Sequence, residues 1–443
     1  MSSYVLCIDI GTSSLKGAVI SSEGKPVSFG RIFYNNIKTD GAVWQKALKE
    51  LILSMDSTFF ISAVAVSGNG PTVVPLMQDG NIGLPHLWYE GAETLPVASR
   101  SLYLPKVKWI QEKKREEYDR TRTFLTADGF FNYLLTGRCT VSVASERFLP
   151  FFWTEQDIEQ AGLDKSRFPE PVNTGSPVGY VSAQGGAAFG LREGTPVFAG
   201  GSDFLMAILG TDTMKPGRVC DRAGTSEGIN CCCIKGKELA GFRTMPHPAA
   251  GCDNVSALLA SSGLAFEWYR RSYSLTHLSY GEIMEHISAA MVPEEKSFFY
   301  PVRKRGIAGE FPESEYRAFT AGRDSAEAGC GVVKSIGFAV LDLIEQLEEK
   351  GFVIDELRCS GGQVRNALWN QMKADMTGRR ILVPEIADGE LSGCACAAFM
   401  GLGLFSSLEE AAGQLVKIIS EYTPRKDFRE AYGEAYRAYA ERG

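Results

Sequence analysis

Residues 4–20 read YVLCIDIGTSSLKGAVI. Two apolar runs of strand length, Tyr4 to Ile10 and Leu15 to Ile20, flank the short polar segment Gly11 to Ser14, a pattern that predicts a β-hairpin. Gly11 lacks the Cβ that would block close approach. Thr12, Ser13 and Ser14 offer hydroxyls beside successive backbone N–H groups, so the turn is suited to cradle an anion. An acid, Asp9, precedes the turn and a base, Lys16, follows it. A carboxylate next to a phosphate is repelled unless a hydrated divalent cation lies between them. The pattern therefore suggests a nucleoside triphosphate with magnesium; a plain hairpin opening a domain is the alternative.

The chain has 443 residues, more than one hydrophobic core usually supports, so two domains are expected, with a cleft between them. Hydrophobic residues make up 44% and charged residues 22%, the composition of an ordinary globular protein, and nothing in it suggests disorder. A net charge of −7 argues against broad binding to nucleic acid or to an anionic membrane, so an anionic ligand must be met locally. The start, MSSYVLCID, lacks the regions of a secretory signal and no long apolar stretch appears, which predicts a cytoplasmic protein. The cysteines, Cys231 to Cys233 and Cys394 with Cys396 among them, lack paired zinc-site spacing and read as small buried residues in a reducing compartment. Four histidines with no helical pairing argue against a His-based metal site.

After the hairpin, Pro26 to Tyr34 reads as a third meander strand, Trp44 to Met55 as an amphipathic helix and Ile61 to Ser67 as a buried strand. That strand runs into Ser67-Gly68-Asn69-Gly70-Pro71, where Asn69 either hydrogen-bonds a small polar substrate or forms a simple Asn-Gly turn. Trp88 and Glu90 fall in a loop; an aromatic beside a carboxylate suits a sugar, although a half-buried Trp with a solvated Glu is the plainer reading. Asp128 to Leu135 is a helix stopped at Gly137. Pro196 to Ala199 is a strand leading through Gly200-Gly201-Ser202-Asp203 into a helix over Phe204 to Leu209. Asp203 there is either an N-cap or a general base, and both roles coexist only if one carboxylate oxygen stays available.

Past a boundary at Asp212 to Gly217 the opening arrangement recurs. Arg218 to Asp221 precedes Ala223-Gly224-Thr225-Ser226, and the apolar run Ile229 to Ile234 follows. A strand, Gly-Thr-Ser, strand pattern at the start of both halves points to a duplicated fold. Val332 to Glu349 reads as a long helix. A strand from Leu357 to Cys359 then enters Ser360-Gly361-Gly362-Gln363-Val364-Arg365-Asn366, a glycine-rich turn that offers N–H groups to an anion or a nucleotide sugar, before a helix over Ala367 to Thr377. Leu391 to Gly403 is a small-residue helix fitted for close packing, and Phe428 to Glu441 a terminal docking helix.

These pieces, in this order, resemble the FGGY family of carbohydrate kinases, of xylulokinase-like type, within the sugar kinase, heat-shock and actin ATPase superfamily. The resemblance runs from Asp9-Ile-Gly-Thr-Ser-Ser-Leu-Lys16 through Ser67-Gly68, Lys106-Val-Lys-Trp109 and Leu135-Thr-Gly137. It continues through Gly200-Gly-Ser-Asp203, Gly224-Thr-Ser226 and His247 to Ser360-Gly-Gly362 with Trp369 and Gln371. It implies an α/β protein of two ribonuclease-H-like, actin-like ATPase domains flanking a central cleft. The expected division is 1–215 for sugar binding and catalysis and 216–443 for the nucleotide, with the terminal helix of about 426–442 packing back on the first domain.

The resemblance further implies ATP and Mg²⁺ as cofactors and a small sugar as partner substrate, with a pentulose favoured and a polyol or sugar acid in reach. It makes Asp203 the catalytic base and Asp9 the water-mediated magnesium partner. Gly11, Thr12, Ser13 and Lys16, with Gly224, Thr225 and Ser226, would hold phosphates, and Gly361, Gly362, Gln363 and Asn366 the adenosine. Asn69, Trp88, Glu90 and Asp203 would meet the sugar. Trp88, Glu90 and Ala92 stand where the family often has Trp-x-Asp-x-Arg, and Ser335 where an acid is usual before Ile-Gly, which leaves the sugar open. A homodimer is left open as well. The rival readings are a sugar-sensing pseudokinase of the same fold and an actin-like or chaperone-like ATPase.

Overall fold

The computed structural model describes residues 3–34, 40–56, 58–88, 90, 93–224, 226–236, 239–259, 261–298 and 313–442. Thr225 and Ala92 lie outside the described residues. The chain forms two compact units. The first comprises Met1–Met214, Pro246–Ala250 and Gly389–Lys417, and the second Lys215–Met245, Gly251–Asp388 and Ile418–Gly443.

The first unit is built on the predicted hairpin. Strands Tyr4–Ile10 and Ser14–Ser21 pair antiparallel, and Pro26–Phe33 adds the third meander strand. Ile61–Gly68 joins Tyr4–Ile10 in parallel, Pro196–Ser202 joins Ile61–Gly68 in parallel, and Pro177–Tyr180 closes that edge antiparallel. Burial of Tyr4–Ile10 and Ile61–Gly68 on both faces explains their near-continuous apolar runs. Helix Gly41–Ser54, capped by Asp40, lays Trp44, Leu48 and Leu51 into a core shared with Leu6, Ile8, Phe130 and Phe131. Helix Ala127–Thr136 starts on the Thr126 cap and stops at Gly137, which adopts the left-handed conformation expected of a glycine stop.

The second unit repeats the strand order. Cys252–Leu259, Glu227–Ile234 and Val219–Ala223 form an antiparallel meander, and Glu356–Ser360 and Arg380–Pro384 then extend it in parallel. Arg243–Pro246 and Ile418–Tyr422 are its edges. The long helix begins at Ser325, ahead of the expected Val332, because Asp324 and Glu327 form a reciprocal cap before a run of small residues that hides the helical period.

The expected split at 215/216 is corrected in two places. The small-residue helix Gly389–Gly401 belongs to the first unit, where it packs on helix Asp203–Gly210 and directs Cys394 at the Ile8 carbonyl. A Cβ at Gly393 would lie 2.1 Å from the Met206 carbonyl oxygen, so only glycine allows this approach. The terminal helix Lys426–Arg442 belongs to the second unit rather than packing back on the first, because Tyr432, Tyr436 and Tyr439 close over Phe338 in that unit's core. Gly393→Ala is expected to cost roughly 1–3 kcal/mol by overpacking; urea unfolding checks it, and an unchanged midpoint would contradict this packing.

Candidate active site

In the first unit, the parallel strands Tyr4–Ile10, Ile61–Gly68 and Pro196–Ser202 end side by side, and polar groups gather at their C-terminal ends, where α/β sheets commonly bind ligands. Sheet register places Lys16 and Ser67 directly beside Asp9, one on each neighbouring strand. Ser67 donates to Asp9 Oδ1 at 2.9 Å and Lys16 Nζ lies 3.5 Å from Oδ2. Burial pushes the Asp9 carboxyl up to about 7; Lys16 pulls it down, Glu390 and Asp203 push it up further, and the Ser67 hydrogen bond lowers it. The charges of Asp203 and Glu390 thus both reach Asp9.

Asp203 is the first residue of helix Asp203–Gly210, with Ser202 in the N-cap position, so it is not the N-cap itself. Its Oδ1 accepts from the Phe204 N–H at 2.7 Å and the residue is half-buried. Tyr103 completes this corner. Its hydroxyl lies 3.0 Å from where a Cβ on Gly70 would sit, and burial, then Asp128 and Asp203, raise its pKa.

The Gly11–Ser14 turn is closed by the Gly11 N–H on the Ser14 carbonyl, with Thr12 and Ser13 exposed. The Trp88 indole N–H donates to Thr12 Oγ1 at 3.0 Å, so the aromatic loop meets the anion turn. Lys106 holds that loop through the carbonyls of Leu87 at 2.7 Å and Glu90 at 3.3 Å. Glu90 spends one oxygen on the Leu87 N–H, and the Asn69 side-chain oxygen accepts from Thr72.

In the second unit, the two glycine turns expected near a nucleotide lie against each other. Gly361 has φ +100°, and a Cβ there would sit 2.2 Å from the Ala223 carbonyl oxygen, so glycine is required on both counts. Gln363 Nε2 donates to the Gly224 carbonyl at 3.4 Å and to Ser262 Oγ at 2.9 Å. Gly224 and Gly362 are exposed, and Ser226 closes its turn by accepting from the Gly224 N–H. Asn366 caps helix Ala367–Thr377 through the Trp369 N–H. Beneath the turns, Lys373 bonds both Asp221 and Glu227, all three at most 2% exposed. Burial favours the neutral amine, but the two carboxylates outweigh it and raise the Lys373 pKa.

Glu390, Tyr103, Glu227, Ser262 and Lys373 were not singled out from sequence, and Lys106 was quoted only as part of the Lys106–Trp109 segment. Asp221 was a usable signal for Lys373: an acid placed as Asp9 is placed, without a lysine on the next strand, requires a cation from elsewhere. Asp9 suits magnesium, a cation that keeps most of its waters and takes few carboxylates, since a buried carboxylate pushed up to about 7 gains from a nearby positive charge. Among the described residues no group of three or more His, Cys, Asp or Glu is arranged to bind a metal directly.

Two sheets of one strand order, each carrying an acid and a glycine turn at the strand ends, define an actin-like ATPase fold. Residues 92–210 match the N-terminal domain of the FGGY family of carbohydrate kinases and residues 259–402 its C-terminal domain, together more than half of the chain. The chain belongs to that family and is a sugar kinase. It is 24% identical to the xylulose kinase of Bacillus subtilis (strain 168), over 98% of this chain and 96% of that protein. It is 22% identical to the autoinducer-2 kinase of Enterobacter sp. (strain 638), over 97% and 92% respectively. The gluconate kinase of Lactobacillus acidophilus shares its fold with a TM-score of 0.80 at 17% identity, covering 100% of this chain and 97% of that one. Among the described residues no helix is long and apolar enough to cross a membrane.

Burial first, and then the charge of Asp221, push the Glu227 carboxyl from 4.5 up to about 7, against the pull of Lys373 and Ser262. A carboxyl raised in this way binds a proton more tightly folded than unfolded, so its contribution to stability declines as pH rises between those values. Measured by urea unfolding, the parent should lose stability relative to Glu227→Gln as pH climbs through that window; parallel profiles would contradict the assignment.

Proposed function

We propose that the protein transfers the γ-phosphoryl group of ATP to a hydroxyl of a small sugar, a pentulose-type ketose by preference, with Asp203 as the general base. The observation that carries this reading is the gathering of Asp9, Ser67, Lys16 and Asp203 at the ends of adjacent strands within one unit. Phosphoryl transfer needs positioned groups, charge neutralisation and removal of one hydroxyl proton, and this corner supplies candidates for each. With one Asp203 oxygen fixed by the Phe204 N–H, the carboxylate is oriented to take that proton as the hydroxyl oxygen attacks the γ-phosphorus and ADP leaves.

The remaining roles follow the same reading. Gly11, Thr12, Ser13 and Lys16, and in the second unit Gly224, Thr225 and Ser226, hold the phosphates. Gly361, Gly362 and Gln363 approach the adenosine, and Asn366 supports them as a helix cap. Asp9 would hold Mg²⁺ through water; when bound, the ion neutralises phosphate charge. Trp88 and Glu90, in a loop braced by Lys106, shape the sugar side with Asn69 of a separate loop, and Tyr103 joins them beside Asp203. The pentulose preference draws support from the likeness to a xylulose kinase, while the autoinducer-2 and gluconate kinases mark the range to be tested. The protein is read as cytoplasmic, without nucleic-acid or membrane partners, and a homodimer is compatible with this reading.

The test is ADP release from Mg·ATP against ketoses, polyols, aldoses and sugar acids. A ketopentose should lead, and Asp203→Asn, which keeps an acceptor for the Phe204 N–H, should lower its turnover by about 10²–10⁴-fold. Near-parental turnover in the folded variant would remove Asp203 as base.

A further inference from the structure

Three buried charges of the second unit, Asp221, Glu227 and Lys373, form one connected network that ends on the glycine turns. Asp221 lies on strand Val219–Ala223 and Glu227 opens strand Glu227–Ile234, so they flank the Gly224–Ser226 turn on its two stems, with Ala223 paired to Glu227. Lys373, from helix Ala367–Thr377, reaches both carboxylates and clasps the stems together. Sheet register gives Asp221 only Ile229 and Cys359 as neighbours, so no lysine of the sheet stands beside it as Lys16 stands beside Asp9. The Cys359 thiol adds a weak donor to Asp221 at 3.5 Å.

The network has a fixed direction. A serine hydroxyl has one proton, and Ser262 gives it to Glu227. The Ser262 oxygen must then act as acceptor, which requires Gln363 to present its NH₂ rather than its oxygen. That NH₂ group also donates to the Gly224 carbonyl, so Glu227, by accepting the Ser262 proton, sets the amide orientation that ties the first residue of one glycine turn to the second turn. The Gly361 approach to Ala223 makes a second tie between the same segments.

We infer that Glu227, clasped by Lys373 and acting through Ser262 and Gln363, is a positioning residue that fixes Gly224, where the second Gly-Thr-Ser segment begins, for nucleotide binding. It touches no reacting atom. Its effect falls on binding, because a loop that grips phosphate through its backbone binds best when it needs no reordering. This inference rests on the kinase reading, since it presumes that the turn meets a nucleotide.

The experiment measures ADP binding to the full chain by calorimetry, beside thermal unfolding, for the parent, Ser262→Ala, Ser262→Thr and Glu227→Gln. Ser262→Ala leaves the Asp221–Lys373–Glu227 ion cluster intact and cuts only the relay. ADP should bind it about tenfold more weakly while thermal unfolding still shows a folded chain. Ser262→Thr keeps the hydroxyl and should bind as the parent does. Glu227→Gln should weaken ADP at least as much as Ser262→Ala. Parental ADP affinity in folded Ser262→Ala would overturn the positioning role while leaving the kinase reading in place, as would equal weakening in the alanine and threonine variants. A parent that binds no ADP would overturn both.

Discussion

Asp9 is a carboxylate that the sheet holds away from water. Its two register neighbours, Lys16 on the antiparallel side and Ser67 on the parallel side, supply a cation and a hydrogen bond, yet burial still pushes its carboxyl up to about 7. A buried acid in this condition favours added positive charge. The surroundings follow from that constraint. The anion turn starts two residues later, Asp203 begins its helix at the end of a nearby parallel strand, and the small-residue helix Gly389–Gly401 brings Glu390 close enough to add its charge.

The second unit meets the same problem with different chemistry. Its equivalent acid, Asp221, has apolar register neighbours, and the compensating cation is imported from a helix. A buried ion cluster of this kind is weak evidence for stability, since removing charges from water costs several kcal/mol per ion in typical proteins. Its value lies in geometry: it fixes the stems of a turn and, through Ser262, the amide of Gln363. One fold, used twice, has thus set an acid beside a lysine of its own sheet in the first unit and an acid beside a lysine brought by a helix in the second.

Much of this was legible in the sequence. The opening hairpin, the glycine stop at Gly137 and the recurrence of Gly-Thr-Ser depend on local rules of periodicity and backbone freedom, and these act within a few residues. Asp203 was legible as a helix-start acid, although its place at the first helical position instead of the cap needed coordinates. What escaped was non-local. Lys373 lies far along the chain from the two acids it joins, and Tyr103 approaches Gly70 only through folding. The assignment of Gly389–Lys417 to the first unit depends on backbone contact at Gly393, which a run of small residues permits without naming its partner. Asn69 and Glu90 looked available for a sugar, and each proves to have an oxygen engaged within its own loop.

The central claim is that the Asp9–Asp203 corner directs the γ-phosphoryl group to a sugar hydroxyl and not to water. Phosphorus NMR of a complete reaction with Mg·ATP and the best sugar tests this most directly. The account predicts a phosphomonoester resonance growing in equal amount with ADP, and little change when the sugar is left out. Inorganic phosphate appearing in place of the ester, at the same rate with or without sugar, would contradict it and mark the protein as an ATPase.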